Sequence, residues 1–304
     1  VVEVTSEQGV ARTGPSTDYS RLTPLPKGTR AQVTGREGEW LRLEYGGWIK
    51  QAETRSIANA TIPRSLIRSV KVQTLSDRTN FIFPLQIPVP VSVQQGERTF
   101  TLTLHNTTAQ TDTIAQTPGP ILSRLDWEQI SPTQLQYRIQ LKTHQQWGYH
   151  LHYEGTSLVL SLRHPPTLQS KSLVGTTILL DPGHGSANDL GSVGPSGYPE
   201  KDAALLISKL LRQELEQRGA KVVMSSEGDD DVYRNDRTKK IEQVAPTLSL
   251  SLHFNALPDG GDAWNRKGVS AFWYNPQAQS LAVFLHDYLV QKLGRPSYGV
   301  YWNN

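Results

Sequence analysis

A chain of 304 residues is longer than the usual single domain of about 100–200 residues, so two or three domains are expected. The absence of cysteine excludes disulfide bonds and thiolate ligands, which leaves histidine and carboxylate side chains for any metal site. The formal net charge of +3 is uneven: residues 1–173 carry 18 Lys/Arg and 13 Asp/Glu, and residues 174–304 carry 13 and 15. The sequence has no basic cluster of the kind that binds nucleic acid, so we expect no nucleic-acid partner and at most a weak attraction to an anionic surface.

The printed residues predict neither a membrane span nor a signal peptide. No run of about 18 consecutive apolar residues occurs, so no membrane span is predicted. Residues 1–3 lack the basic and apolar regions of a signal peptide. We interpret the chain as soluble and as a mature or trimmed form, and the absence of cysteine does not exclude an exported protein.

Residues 1–53 combine many turn signals with short β-prone pieces. Glycines and prolines separate segments such as 31–34 and 40–45, and this spacing predicts a small all-β barrel. Its aromatic residues allow two interpretations, a peptide or glycan groove or simple filling of the barrel core. The residues concerned are Tyr19, Trp40, Tyr45 and Trp48. For the two tryptophans we favour the core.

Four motifs follow one another in this first segment. They are Val10-Ala-Arg-Thr-Gly-Pro-Ser, Leu25-Pro-Lys-Gly-Thr, Gly38-Glu-Trp-Leu-Arg-Leu and Gly47-Trp-Ile. Their order resembles the bacterial Src-homology-three-like domains that occur beside cell-wall hydrolases. The resemblance covers nearly the whole of residues 1–53.

Residues 54–172 alternate apolar and polar positions with a period of two. The alternating segments are 69–74, 80–83, 89–93, 100–104, 134–141 and 157–162. They predict a β-sandwich with one solvent-facing side on each sheet, followed by a polar, proline-bearing linker at 163–172. The pattern is similar to AMIN-like modules, which are thought to bind peptidoglycan. His150 and His152 would share a strand face, and without a third ligand we interpret them as solvated or hydrogen-bonded histidines rather than as a metal pair.

From residue 173 onward the pattern changes to strands that alternate with helices. Predicted strands lie at 177–181, 220–225, 247–253 and 268–274, and predicted helices at 202–218, 233–244 and 277–293. This alternation predicts an α/β domain over 173–304, with a mostly parallel sheet flanked by helices. The first helix is expected to turn one apolar stripe inward, formed by Ala203, Leu206, Ile207, Leu210, Leu211 and Leu215.

Three ligand-type side chains occur where these elements begin or end. His184 follows the first predicted strand, His253 ends the third, and Glu200 precedes the first helix. The carboxyl ends of parallel strands share one edge of a sheet, so the three are expected to converge there. Two imidazoles and a carboxylate would leave a zinc ion one open position, which is typical of a hydrolytic site in which zinc polarises a carbonyl and lowers the pKa of its bound water to about 7. The alternative is that each residue has an ordinary structural role. His184 would be a turn residue, Glu200 a charge that complements the helix dipole, and His253 a histidine at a strand end.

The motifs around these residues resemble one enzyme family. They are Asp181-Pro-Gly-His-Gly, Gly194-Pro-Ser-Gly-Tyr-Pro-Glu-Lys and Ser251-Leu-His-Phe-Asn-Ala. Together they are similar to the zinc-dependent N-acetylmuramoyl-L-alanine amidases, the AmiC-like peptidoglycan hydrolases, most of all the cyanobacterial type. The resemblance implies that His184, Glu200 and His253 bind Zn²⁺ and that Asn255 helps to hold the substrate or the loop. It also implies cleavage of the amide between N-acetylmuramic acid and L-alanine of the stem peptide.

The resemblance further implies a second glutamate, the general base, on a strand near the C-terminus. No glutamate in the printed sequence matches it, so the expected residue lies beyond Asn304 and no catalytic residue is identified. We therefore expect residues 1–304 to bind zinc without a complete catalytic pair and to be inactive. The acidic run 229–231 is interpreted as a solvated turn, and Arg237 as a structural residue.

Three hypotheses about function remain open. The first is a cell-wall amidase with wall-targeting N-terminal domains, in the periplasm or at the cell wall, with peptidoglycan and an activator or divisome protein of cell division as partners. The second is a peptidoglycan-binding scaffold with a zinc-binding but inactive amidase-like domain. The third is a zinc hydrolase that acts on a different amide.

Overall fold

The computed structural model describes most of the chain. The described residues are 1–7, 9–116, 119–169, 171–194, 196–228, 230, 232–257, 260–262 and 265–302. They form two compact units, Val1–Pro165 together with Gly268–Asn304, and Pro166–Lys267. The domain boundaries at 53 and 172 stay predictions. Among the described residues, no helix is both long enough and apolar enough to cross a membrane.

The first unit begins with eight short strands in two antiparallel sheets, of order β4-β1-β8 and β3-β2-β7-β6-β5. The strands are β1 Val2–Val4, β2 Gly9–Arg12, β3 Arg21–Leu25, β4 Arg30–Ala31, β5 Val33–Glu37, β6 Trp40–Leu43, β7 Trp48–Lys50 and β8 Thr54–Ser56, with a short 3-10 helix at Gln51–Glu53. Aliphatic side chains such as Leu25, Leu43 and Ile49 form their core. Trp40 is buried, whereas Trp48 is only partly buried, so the prediction that both tryptophans fill the core was wrong for Trp48.

The same unit continues with nine longer strands. They are β9 Ser65–Thr74, β10 Arg78–Phe83, β11 Val91–Gln95, β12 Thr99–His105, β13 Thr107–Gln116, β14 Leu122–Ser131, β15 Gln134–Leu141, β16 Tyr149–Glu154 and β17 Ser157–Arg163. They form sheets of order β13-β9-β10-β17-β16 and β11-β12-β15-β14, antiparallel except for the parallel pair β13–β9. Every second residue of β12, from Phe100 to Leu104, is fully buried, as the period-two pattern predicts. The rings of Phe83 and Tyr137, one from each sheet, lie 4.7 Å apart in the shared core.

The strands of residues 1–53 contact this second set of strands directly. The Thr23 hydroxyl donates to the carbonyl oxygen of Val91 at 2.8 Å. The ring of Tyr45 lies 5.1 Å from the ring of His105. The two segments therefore belong to one compact unit.

The first unit also contains the last elements of the chain. They are β21 Val269–Trp273, a 3-10 helix at Pro276–Ala278, α3 Gln279–Leu293 and β22 Ser297–Trp302. β21 pairs in parallel with β22 in a separate two-stranded sheet, so it is not a fourth strand of the sheet that carries the predicted ligands. The sequence pattern did not predict β22.

The second unit holds the predicted ligands. Its elements are β18 Thr177–Pro182, α1 Glu200–Gln217, β19 Lys221–Met224, α2 Arg234–Val244 and β20 Leu248–Leu252. The three strands pair in parallel in the order β19-β18-β20, so the buried strand β18 is central. Ile178, Leu180 and Met224 belong to its core.

Helix α1 turns a different face inward from the one predicted. Leu206, Ile207 and Leu210 are 40–54% exposed. The inward side chains instead repeat at helical spacing from Glu200, and they are Glu200, Ala204, Ser208, Leu211 and Leu215. Three of the six predicted stripe residues, Leu206, Ile207 and Leu210, therefore face solvent. The prediction was wrong for them because it assumed that inward positions are apolar, whereas the polar residues Glu200 and Ser208 are buried.

Candidate metal centre

Neighbouring strand ends place the two histidines side by side. β18 and β20 are parallel, and Pro182 lies opposite Leu252 at their ends. The next peptide continues this pairing, since the backbone N–H of Gly183 donates to the carbonyl oxygen of Leu252 at 2.8 Å. His184 and His253 therefore leave the same edge of the sheet together.

Glu200 lies between the two histidines. Its Oε2 is 3.2 Å from Nε2 of His184, and its Oε1 is 3.1 Å from Nδ1 of His253. The ligand atoms of all three side chains lie within 4.8 Å of one another. Glu200 is 5% exposed, His184 24% and His253 47%, so the cluster has a buried floor and an open side.

A network of hydrogen-bond donors holds the Glu200 carboxylate. Oε2 accepts the backbone N–H of Ser192 at 3.0 Å, and Oε1 accepts the backbone N–H of Phe254 at 2.7 Å. The Ser192 hydroxyl lies 2.9 Å from both Oε2 and the carbonyl oxygen of Phe254, so its single proton can reach either acceptor. Burial raises the pKa of Glu200, but these hydrogen bonds and the neighbouring His184 outweigh burial and lower it to about 2. Glu200 is therefore an anion at neutral pH.

Asp189 holds the other side of the His184 ring. Its Oδ1 lies 2.6 Å from Nδ1 of His184. Nδ1 can donate to this carboxylate, and Nε2 is the ring nitrogen that faces Glu200. This carboxylate–histidine arrangement is common around histidine ligands of metals, because it fixes the tautomer and orients the ring.

The donor set fits a zinc ion. Two imidazole nitrogens and a carboxylate oxygen are ligands that zinc prefers, and such a set leaves a fourth position for water or substrate. Ligand atoms on a tetrahedron with bonds of about 2.0–2.1 Å lie about 3.3 Å apart. The separations of 3.2 and 3.1 Å involve different oxygens of the Glu200 carboxylate, and one ligand atom from each residue lies within 4.8 Å of the others.

The structure brings together all three predicted ligands. Among the described residues they form the one group of three or more histidine or acidic side chains that meets the geometry for a metal ion. Asn255 is exposed two residues after His253, and its role in holding substrate stays a prediction. In the acidic run 229–231, residues 229 and 231 lie outside the described residues. The general base expected beyond Asn304 stays a prediction.

Sequence reasoning missed two residues that touch the ligands, Ser192 and Asp189. Both lie in the irregular segment between β18 and α1, where no periodicity marks a functional position. The only sequence signal was the polar composition of this segment beside a glycine-flanked histidine. His150 and His152 do share a strand face, with rings stacked at 4.8 Å, and His152 Nε2 pairs with Glu154 at 3.1 Å.

Comparison with known proteins assigns two segments to families. Residues 178–304 match the model of the N-acetylmuramoyl-L-alanine amidase family, and residues 10–52 match the model of the bacterial SH3 domain. The second unit is an α/β unit that carries a cluster of two histidines and one glutamate. The AMIN-like nature of residues 54–172 stays a prediction.

Several known proteins are similar to part of this chain. The probable cell wall amidase LytH of Staphylococcus epidermidis is 35% identical over 127 residues, which are 41% of this chain and 40% of that protein. LytH of Staphylococcus aureus is 36% identical over 130 residues, which are 42% of this chain and 41% of that protein. The chain therefore matches about 40% of the length of these curated relatives. Among solved structures, the amidase AmiC2 of Nostoc punctiforme is similar at 27% identity and a TM-score of 0.39, over 42% of this chain and 69% of that one.

Proposed function

We propose that the protein is a zinc-dependent peptidoglycan hydrolase that cleaves the amide between N-acetylmuramic acid and L-alanine of the stem peptide, and that residues 1–304 supply its metal ligands. The observation that carries this proposal is the cluster of His184, Glu200 and His253, which lies inside the segment of the amidase family. The open side of the cluster, where His253 is 47% exposed, suits a polymeric substrate that approaches from solvent. Peptidoglycan lies outside the cytoplasm, so we propose a periplasmic or cell-wall location.

The residues of the centre have separate tasks in this proposal. Asp189 holds the proton on Nδ1 of His184 and leaves Nε2 free to bind a metal. The low pKa of Glu200 keeps its carboxylate charged, so it needs no deprotonation before it binds a cation. Zinc, when bound, supplies a Lewis acid that polarises an amide carbonyl. Asn255, two residues beyond His253, is proposed to contact substrate.

The N-terminal segments supply targeting in this proposal. A bacterial SH3 domain occupies residues 10–52 of the same chain, and residues 54–172 are proposed to add an AMIN-like wall-binding module. Binding to the wall would raise the local concentration of the scissile amide at the centre. An activator or a divisome protein as a further partner stays a prediction.

A second candidate function is a peptidoglycan-binding scaffold whose amidase-like domain binds zinc without turnover. The observation that favours it is that both carboxylates beside the histidines, Glu200 and Asp189, already contact those histidines. Glu200 faces both histidines, and Asp189 is bound to His184, so each already has a task other than that of a general base. The two candidates differ in turnover and agree in wall binding.

One experiment separates the candidates. The protein, stripped by a chelator and reloaded with Zn²⁺, is incubated with purified sacculi, and newly exposed L-alanine amino groups and sedimented protein are both measured. Zinc-dependent release that His184→Ala abolishes supports the hydrolase. Sedimentation without release supports the scaffold, and the absence of both contradicts both candidates. His144→Ala, at an exposed histidine of the first unit, is the matched control and is expected to behave like the parent.

A further inference from the structure

Arg237 contacts the turn that carries His184 from an element that contributes no ligand. It lies on α2, and its guanidinium donates to the carbonyl oxygen of Pro182 at 2.8 Å and to the carbonyl oxygen of His184. The same guanidinium is paired with Oδ1 of Asp181, and its Nε donates to the carbonyl oxygen of Val232 at 3.0 Å. One side chain therefore binds three of the four residues of the segment 181–184, namely Asp181, Pro182 and His184.

Asp181 is held in place from the neighbouring strands. Its Oδ1 accepts the hydroxyl of Ser225 at 2.5 Å, and its Oδ2 accepts the hydroxyl of Ser251 at 2.8 Å. The side chains of Arg237 and Asp181 are 14% and 13% exposed. Lys240, one turn further along α2, donates to the carbonyl oxygen of Ser225 at 3.1 Å. The ion pair is thus largely removed from solvent, and its hydrogen-bonding capacity is well used, which is the condition under which such a pair is tolerated.

The backbone at His184 requires such support. Its φ of +63° lies in the left-handed region, which a residue with a Cβ rarely adopts unless its surroundings impose it. The carbonyl groups on either side of Gly183 are both bound by Arg237, so the direction of the chain across this glycine is fixed. The same conformation directs the His184 ring toward Glu200.

We propose that Arg237, anchored by Asp181, is a positioning residue that sets the orientation of His184 as a metal ligand. The proposal rests on the proposed metal centre, and it goes beyond a merely structural role in which Arg237 only attaches α2 to the sheet. A structural role would stabilise the unit without changing the metal affinity. A positioning role changes the His184 turn and the metal affinity together.

The test is the substitution Arg237→Lys, with Arg212→Lys as the matched control. Lysine keeps a positive charge beside Asp181, but its single nitrogen cannot reproduce the planar fork that binds the segment 181–184. Arg212 makes a more exposed pair with Glu227, at 2.8 and 3.0 Å, and among the described residues it forms no hydrogen bond or ion pair with the predicted ligands. We expect Arg237→Lys to weaken Zn²⁺ binding by about 10–100-fold in competition with a chromophoric chelator, and Arg212→Lys to leave it unchanged. The visible spectrum of the Co²⁺-loaded protein should change only in the Arg237 variant.

A second measurement needs no metal. Amide hydrogen exchange of residues 183–186 in the metal-free protein is expected to become faster in Arg237→Lys and to stay at the parent rate in Arg212→Lys. If the parent itself binds no Zn²⁺, the metal assignment fails, and unchanged exchange in Arg237→Lys then overturns the positioning of the turn as well. In a parent that binds zinc, parent-like affinity and an unchanged Co²⁺ spectrum in Arg237→Lys overturn the proposal.

A double variant covers the case in which Arg237→Lys does not fold. Asp181→Asn combined with Arg237→Gln removes both charges, so neither is left buried without a partner. The same loss of zinc affinity is expected from it. Parent-like affinity in the folded double variant would overturn the proposal.

Discussion

Gly191 brings the backbone close to two ligands of the centre. A Cβ at this position would lie 2.4 Å from the His184 ring and 2.8 Å from Oε2 of Glu200, distances that no real contact tolerates. Its φ of +67° also lies in the left-handed region. A side chain here would therefore add backbone strain and displace ligands, and these two effects can be separated experimentally.

We predict that Gly191→Ala lowers Zn²⁺ affinity by about tenfold or more, because His184 and Glu200 must move apart to admit the methyl group. Gly197→Ala is the matched control. Gly197 has a similar φ of +78°, but a Cβ there would meet nothing within 4 Å. Both variants should lose about 1 kcal/mol of stability from the left-handed backbone, whereas only Gly191→Ala should lose zinc affinity. Equal zinc affinity in the two variants, measured by chelator competition, would contradict the close packing around the ligands.

At the scale of elements, β18 and α1 determine the geometry of the centre. β18 is the central strand and delivers His184, while α1 begins at Glu200 and packs that same face against the core. The buried carboxylate of Glu200, together with the inward leucines, therefore determines which face of α1 points toward the core. This coupling explains why Ala204 and Ser208 are buried and Leu206 and Leu210 are exposed.

The same coupling shows what the sequence could and could not predict. The apolar run of β18, the strand ending in His253 and the metal-type residues themselves were visible as local patterns, so the ligand trio was predicted from the sequence. The face of α1 was not predicted, because a hydrophobic stripe assumes that only apolar residues turn inward. Asp189 and Ser192 were missed because their roles depend on where an irregular segment folds back, and no sequence period encodes that contact.

A substitution in β18 tests its structural role. Leu180 is fully buried in the core of the second unit, and Leu180→Ala should lower the free energy of unfolding by about 2–5 kcal/mol through lost burial and a residual cavity. Leu210→Ala, on the exposed side of α1, should change it by less than about 0.5 kcal/mol. Urea unfolding followed by circular dichroism measures both. A small loss for Leu180→Ala, comparable with that for Leu210→Ala, would show that β18 does not carry the core.

At the scale of the whole molecule, the first unit joins residues 10–52, which match the bacterial SH3 domain model, to the strands that follow them. Thr23 and Tyr45 of the former meet Val91 and His105 of the latter. His105 is 9% exposed, and its Nε2 lies 3.1 Å from the hydroxyl of Ser92. Acid should therefore weaken this junction, because protonation would place a charge among these largely buried groups.

The pH dependence of stability follows from the buried imidazole of His105. Burial lowers the pKa of His105 to about 4, from an ordinary value of about 6.5. Between these two pH values the unfolded chain binds more protons than the folded chain. The contribution of His105 to the free energy of unfolding is therefore complete above about pH 6.5 and is lost as the pH falls toward about 4. The change is about 3 kcal/mol. We predict that His105→Gln removes this part of the fall in unfolding free energy, measured by urea titration at pH 7 and pH 4.5. His144→Gln, at a 69% exposed histidine, should keep the parent slope, and an identical slope for His105→Gln would show that His105 is not what makes the first unit acid-sensitive.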